Sequence, residues 1–340
     1  IKFFGADGFK LPDGTEEEIE RLMTPGHLDE LRASPELIGK ASRIEDAIGR
    51  YTVYLKSCID RACDLEGMRI VLDCANGAAY KVAPLVYREL GAEVICVGIN
   101  PNGENINLNC GSTHPEGICE LVKQHKADIG IAFDGDADRV ILCDEFGQII
   151  DGDLILAILA TEFKRKGLLA GNGVVGTVMS NLGLEVSLKE RGINFYRAAV
   201  GDRYVLADML ARGLNLGGEQ SGHIVSLDHN TTGDGILTSL LIAALLAFHD
   251  RPLSDYQGLV KRYPQVLINV PVKVKKPLEE IEGIQFALKR AERRLGESGR
   301  ILLRYSGTES KLRVMVECVD SETCNSTAED IVAVVKKELA

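Results

Sequence analysis

The chain has 340 residues, 45% hydrophobic and 26% charged, enough apolar material for several cores and too much for wholesale disorder. At roughly 150 residues per domain this is about two to three domains, more if they are small. Asp and Glu outnumber Lys and Arg by 50 to 39, a formal net charge of −11 with no basic block, which excludes a nonspecific nucleic-acid binder.

The sequence opens on Ile1 inside a strand-like segment, Ile1 to Phe4, so residues preceding it are expected. Helices are predicted over Glu16 to Met23 and from about Arg43 to Cys63, too little apolar material for a domain by themselves. Residues 1–55 are therefore taken as the tail of a preceding domain. A β-α-β run follows: strand Met68 to Asp73, helix Ala79 to Leu90, strand Glu93 to Gly98. A helix near Pro115 to Gln124 and strands at Asp128 to Phe133 and Val140 to Cys143 complete a unit over residues 56–152. A second unit, 153–262, has strands near Gly173 to Thr177, Asn194 to Ala199 and Leu214 to Gly217, with helices starting near Ser180, Gly201 and Asp234. Its longest apolar run, Ile236 to Phe248, is too short to cross a bilayer and reads as a buried helix, so no membrane partner is expected. After a linker at Lys261 to Pro264, residues 263–340 pattern as a small α+β domain. Its strands are Val266 to Val274, Arg300 to Arg304 and Leu312 to Cys318; its helices are Pro277 to Leu295 and Thr327 to Leu339. The expected fold is thus successive α/β mixed-sheet domains around a cleft, followed by a smaller α+β C-terminal domain. No secretory signal opens the sequence. The nine cysteines form no close CxxC pair and read as reduced thiols of a cytoplasmic protein.

The sharpest feature is Asp134-Gly-Asp-Ala-Asp-Arg139, directly after an apolar strand. Three carboxylates within five residues repel one another unless a cation neutralises them. Strand ends of open α/β sheets are where ligands bind. Oxygen ligands without Cys or His point to Mg²⁺, with Ca²⁺ or Mn²⁺ as alternatives, held by Asp134, Asp136 and Asp138. An EF-hand loop is excluded because Arg139 stands where its glycine belongs. A solvated acidic turn is the competing reading. Arg139 is placed to grip a phosphate bridging to the ion.

Gly218-Glu-Gln-Ser-Gly-His223 supplies donors and acceptors for sugar hydroxyls through Glu219 and Ser221, and His223 is a candidate acid/base or else a structural histidine. Arg304-Tyr-Ser-Gly-Thr-Glu309 combines a guanidinium, hydroxyls and glycine backbone, a nest for a phosphate held by Arg304, Ser306, Gly307 and Thr308. Val200-Gly-Asp-Arg203 opens a helix and makes Asp202 and Arg203 candidate substrate contacts, a capped helix with a solvated arginine being equally compatible. The expected ligand is a phosphorylated polyol.

Together these three ordered motifs resemble the α-D-phosphohexomutases along the whole sequence. Gln220, Gly201-Asp202-Arg203 and Leu312-Arg313-Val-Met-Val-Glu317 are similar to the glucosamine branch, with Arg313 a further substrate-contact candidate. The resemblance implies interconversion of glucosamine 6-phosphate and glucosamine 1-phosphate through a phosphoserine and a 1,6-bisphosphate that serves as intermediate and activator. It also implies one Mg²⁺ per chain, catalytic roles for Arg139 and His223, and a mobile last domain. The family's serine loop, Thr-Ala-Ser-His-Asn-Pro-like, does not occur in this sequence. Roughly the first hundred residues of the family pattern are therefore expected to lie outside it, and the 340 residues alone to turn over little substrate. The alternatives are a phosphomannomutase/phosphoglucomutase or a non-catalytic sugar-phosphate-binding module, and a homodimer is left open.

Overall fold

The computed structural model describes residues 3–28, 32–42, 44–306 and 309–339. Ile1 and Lys2, half of the expected opening strand, lie outside that set; among the described residues Phe4 forms an isolated antiparallel bridge with Lys10. The reason is local: Gly5 N–H donates to Phe9 O at 2.7 Å, a tight turn that folds the segment back on itself. Helix α1, Asp13–Leu22, starts three residues earlier than expected, behind Pro12, whose φ of −60° already suits a helix entry. It buries none of its residues.

Helix α2, Ala47–Ser57, is shorter than the predicted Arg43 to Cys63, and Arg43 lies outside the described residues. It buries Thr52 and Leu55, so the boundary placed at residue 55 falls inside a helix that packs into the core ahead.

The first sheet is built from β1 (Arg69–Asp73), β2 (Glu93–Val97), β3 (Ile129–Phe133), β4 (Val140–Asp144) and β5 (Ile149–Ile150). Between them run α3 (Ala79–Glu89) and α4 (Glu116–His125). The order is β2-β1-β3-β4-β5, with β1, β2 and β3 parallel and the last two strands antiparallel. Every residue of β3 and β4 is buried, which is why Ile129 to Phe133 and Val140 to Cys143 read as strands without a polar side chain. The two-residue β5 has no period to read and escaped prediction.

The second unit begins at α5 (Gly152–Arg165), capped by Asp151, whose side chain accepts from Leu154 N at 3.2 Å. Then come β6 (Gly173–Thr177), α6 (Leu182–Glu190), β7 (Asn194–Ala198), α7 (Asp202–Arg212), β8 (Leu216–Gly218), β9 (Ile224–Ser226) and α8 (Gly235–His249). The sheet order is β7-β6-β8-β9, three parallel strands and an antiparallel edge, the same plan as the first sheet. Helix α8 is apolar on nearly every side because it is enclosed: it packs on β3 and β4 of the first sheet and on α5. One continuous hydrophobic core therefore runs through both units. Among the described residues no single helix is long and apolar enough to cross a membrane.

The last unit has its own core. Strands β10 (Gln265–Pro271), β11 (Gly299–Tyr305) and β12 (Lys311–Cys318) form an antiparallel sheet in the order β10-β12-β11, covered by α9 (Glu282–Leu295) and α10 (Ser321–Leu339). Only a short 3₁₀ turn, Leu278–Glu280, precedes α9 where helix was expected from Pro277. Helix α10 starts six residues before the predicted Thr327, because Asp320 Oδ2 accepts from Thr323 N at 2.7 Å and caps a polar first turn. All nine cysteines are free thiols.

Candidate active site

The acidic hexapeptide is the loop of the β3–β4 hairpin, closed by the Phe133–Val140 pair. It lies at the carboxyl end of β3, which runs parallel to β1. One oxygen from each of Asp134, Asp136 and Asp138 lies within 4.8 Å of the others. Asp134 is buried, Asp138 half-buried and Asp136 exposed, so the cluster opens to one side. Burial, followed by the Asp138 charge, pushes the Asp134 carboxyl up to about 7 against the Arg139 backbone N–H that donates to it at 3.1 Å. Three converging carboxylates offering only hard oxygens fit a divalent cation such as Mg²⁺. The Arg139 guanidinium stays half-exposed, with Nε 4.0 Å from Asp134 and 3.9 Å from Asp138. These are long contacts that leave its fork available to an anion.

The β8–β9 hairpin presents Glu219 to His223, and its loop presses directly on the acidic hairpin. Val140 N–H donates to Gly222 O at 3.1 Å, and a Cβ on Gly222, at φ +92°, would collide with the Val140 backbone. Only glycine permits that approach. Glu219 Oε1 accepts from Gly201 N at 2.9 Å and its Oε2 from Ser221 Oγ at 3.3 Å, which fixes the carboxylate at the mouth of the loop. His223 is 3% exposed. Its Nε2 accepts the Gly233 N–H at 3.2 Å, and Nδ1 lies 3.3 Å from Asp138 Oδ2. With Nε2 accepting, the neutral ring carries its proton on Nδ1, the nitrogen beside Asp138. A ring placed this way sits beside a carboxylate of the candidate metal cluster, with Nε2 already engaged by a backbone amide.

Asp202, at the first turn of α7, faces the same space. Burial would raise its carboxyl, but the hydrogen bond and charge of Lys10, with His223, outweigh it and leave it below the usual range. Arg203 turns the other way, onto α1, pairing with Asp13 and, at 3.6 Å, with Glu16. A cavity of about 380 Å³ gathers Asp136, Asp138, Arg139, Asp202, Glu219 and His223, together with Lys10.

The described residues of the C-terminal loop do not line this cavity, and Gly307 and Thr308 lie outside the described residues. Arg304 stands directly opposite Arg313 across β11 and β12, and the Arg313 Nε is buried without a hydrogen-bond partner. Burial and then the Arg313 charge hold the Arg304 guanidinium below its ordinary value. Two like charges facing one another call for an anion between them. Ser306 is buried; its N–H donates to Lys311 O at 2.9 Å, and its carbonyl accepts from Lys275 Nζ at 2.6 Å.

Three stretches of the sequence match successive parts of one architecture: phosphoglucomutase/phosphomannomutase α/β/α domain II at residues 50–147, α/β/α domain III at 151–263 and the C-terminal domain at 267–334. The chain belongs to the phosphoglucomutase/phosphomannomutase family. Within the family it is 53% identical over 339 residues to phosphoglucosamine mutase of Pelobacter propionicus, an alignment covering 100% of this chain and 75% of the relative. Phosphoglucosamine mutase of Citrifermentans bemidjiense is 51% identical with the same coverage of each chain. A solved phosphoglucomutase/phosphomannomutase family protein from Burkholderia thailandensis shares the fold with a TM-score of 0.76 at 21% identity, over 96% of this chain and 70% of that one. Aspergillus fumigatus N-acetylphosphoglucosamine mutase, in complex with GlcNAc-6P and magnesium, does so with a TM-score of 0.69 at 21% identity, over 90% and 69%.

For this family member, sequence reasoning missed Lys10 and Lys275. Neither belongs to a local pattern: Lys10 meets Asp202 across 192 residues, and Lys275 reaches Ser306 across 31.

Proposed function

We propose that this chain carries the metal, sugar and phosphate-gripping parts of a phosphoglucosamine mutase, the activity that interconverts glucosamine 6-phosphate and glucosamine 1-phosphate. The observation that carries the reading is that Asp136 and Asp138 of the carboxylate triad line one cavity with Arg139, Glu219 and His223, in a chain half-identical to phosphoglucosamine mutases along its length. Asp134, Asp136 and Asp138 would hold one Mg²⁺, which when bound offsets charge on the oxygens of a transferring phosphoryl group. Arg139 meets the same oxygens with a planar fork of donors. Glu219 and Ser221 accept and donate to sugar hydroxyls in either orientation of the ring.

Transfer from a phosphoserine to the 1-hydroxyl gives the 1,6-bisphosphate. Return of the 6-phosphoryl to the serine after the sugar turns gives the 1-phosphate. Throughout, Arg304, Arg313 and Ser306, with Gly307 and Thr308, grip the phosphate that is not reacting. A grip on a unit with its own core can let the intermediate turn without leaving.

The test is a coupled assay of the full-length protein on glucosamine 6-phosphate and mannose 6-phosphate. Higher kcat/KM for the glucosamine sugar supports the reading, and preference for mannose overturns it.

A further inference from the structure

We propose that Lys10 contacts the substrate phosphate in this site. The inference rests on the mutase reading and adds a residue to it. Lys10 belongs to the short N-terminal hairpin, yet it lines the cavity that holds Asp136, Asp138, Arg139, Glu219 and His223. Its ammonium pairs with Asp202, whose carboxylate also lies 3.8 Å from His223 Nε2.

The hairpin is tied down on both sides of Lys10. Gly8 O accepts from Thr231 Oγ1 at 2.5 Å, and Asp13 and Glu16 take Arg203. The lysine stem thus crosses to the rim of the cleft from a fixed base, with the side chain 27% exposed.

Charge makes the position consequential. Among the described residues lining the cavity, four carboxylates, Asp136, Asp138, Asp202 and Glu219, face two cations, Arg139 and Lys10. Replacing Lys10 by a neutral residue leaves Arg139 as the sole cationic side chain of that lining to meet a dianionic phosphate. An ammonium carries three donors, so one nitrogen can keep Asp202 and bond a phosphoryl oxygen at the same time. Asp202 then acts as the brace that aims the lysine.

The experiment compares Lys10→Met and Lys10→Arg in the full-length enzyme, with glucosamine 6-phosphate and mannose 6-phosphate as substrates and Mg²⁺ affinity measured in parallel. A phosphate contact predicts that Lys10→Met raises KM for both sugars by about tenfold or more, that Lys10→Arg restores most of it, and that Mg²⁺ affinity stays within about twofold. Unchanged KM, or a loss that Lys10→Arg does not recover, overturns the proposal. A mannose preference would overturn the glucosamine assignment and leave the Lys10 comparison intact, because both sugars carry the phosphate. Acetylation of the wild-type protein, followed by peptide mass spectrometry, removes dependence on folding of the variants. Saturating glucosamine 6-phosphate with Mg²⁺ should slow labelling of Lys10 about tenfold, and equal labelling with and without it contradicts the contact.

Discussion

His223 Nδ1 lies 3.3 Å from Asp138 Oδ2, and the Gly233 N–H on the far side of the ring decides which nitrogen bears the proton. A backbone amide donates only, so Nε2 must accept, and the proton of the neutral ring is on Nδ1, the nitrogen beside the acidic loop. The imidazole thereby stands against one carboxylate of the triad.

That relationship is open to test from its outer end. A Cβ added at Gly233 would stand 2.5 Å from His223 Cε1 and Nε2, closer than any packed carbon. Gly233→Ala should tilt the ring off Asp138 and weaken Mg²⁺ binding by about tenfold, measured by calorimetric titration. His223→Ala should do the same, and His223→Asn, which can still donate to Asp138, should recover part of the loss. Equal affinities in all three variants would separate His223 from the metal site.

The docking of the last unit depends on Glu317, which is fully buried. Its carboxylate accepts from Arg300 Nε at 2.5 Å, from Leu182 N at 3.0 Å and from Asn181 Nδ2 at 3.4 Å, while Arg300 also donates to Val178 O and Ser180 O. These bonds join β11 and β12 to the first turn of α6. Removing one partner strands a buried charge at a cost of about 3–5 kcal/mol. Arg300→Met should therefore release the C-terminal unit, seen as faster proteolysis near the 261–264 linker, with Mg²⁺ affinity retained.

A pH effect is expected at Glu162, buried on α5 and gripped by Arg165 at 2.7 Å, Lys166 at 3.1 Å and His249 at 3.1 Å. The hydrogen bond from Arg165 leads these partners, against the opposing effect of burial, in holding its pKa down to about 2 from 4.5. The folded value lies below the unfolded one, so the carboxylate stabilises the fold fully above pH 4.5, and the contribution fades as pH falls toward 2. Glu162→Gln should cost about 2 kcal/mol at pH 7 and much less at pH 3, read from denaturant midpoints of both proteins at each pH. A gap that does not shrink at low pH would assign the loss to packing.

What the sequence disclosed follows from how local each signal is. Ile129 to Phe133 and Gly173 to Thr177 are buried on both faces, and their lack of charged side chains located them to within a residue. Ile224 to Ser226 is too short to show a period, and the polar start of α10 hid behind a cap. The three aspartates were legible because clustered carboxylates are costly without a cation. The pairing of Lys10 with Asp202, the pairing of Arg203 with α1 and the opposition of Arg304 to Arg313 needed the folded chain, since strand register and long-range packing create them.

The most direct test is anomalous diffraction from crystals of this protein soaked in Mn²⁺, which takes the same oxygen ligands and scatters strongly enough to be located. One dominant peak about 2.2 Å from carboxylate oxygens of Asp134, Asp136 and Asp138, on the side facing Arg139 and Glu219, is the expected result. A strong peak elsewhere, with the three side chains turned apart, would contradict the assignment of the loop as the metal centre.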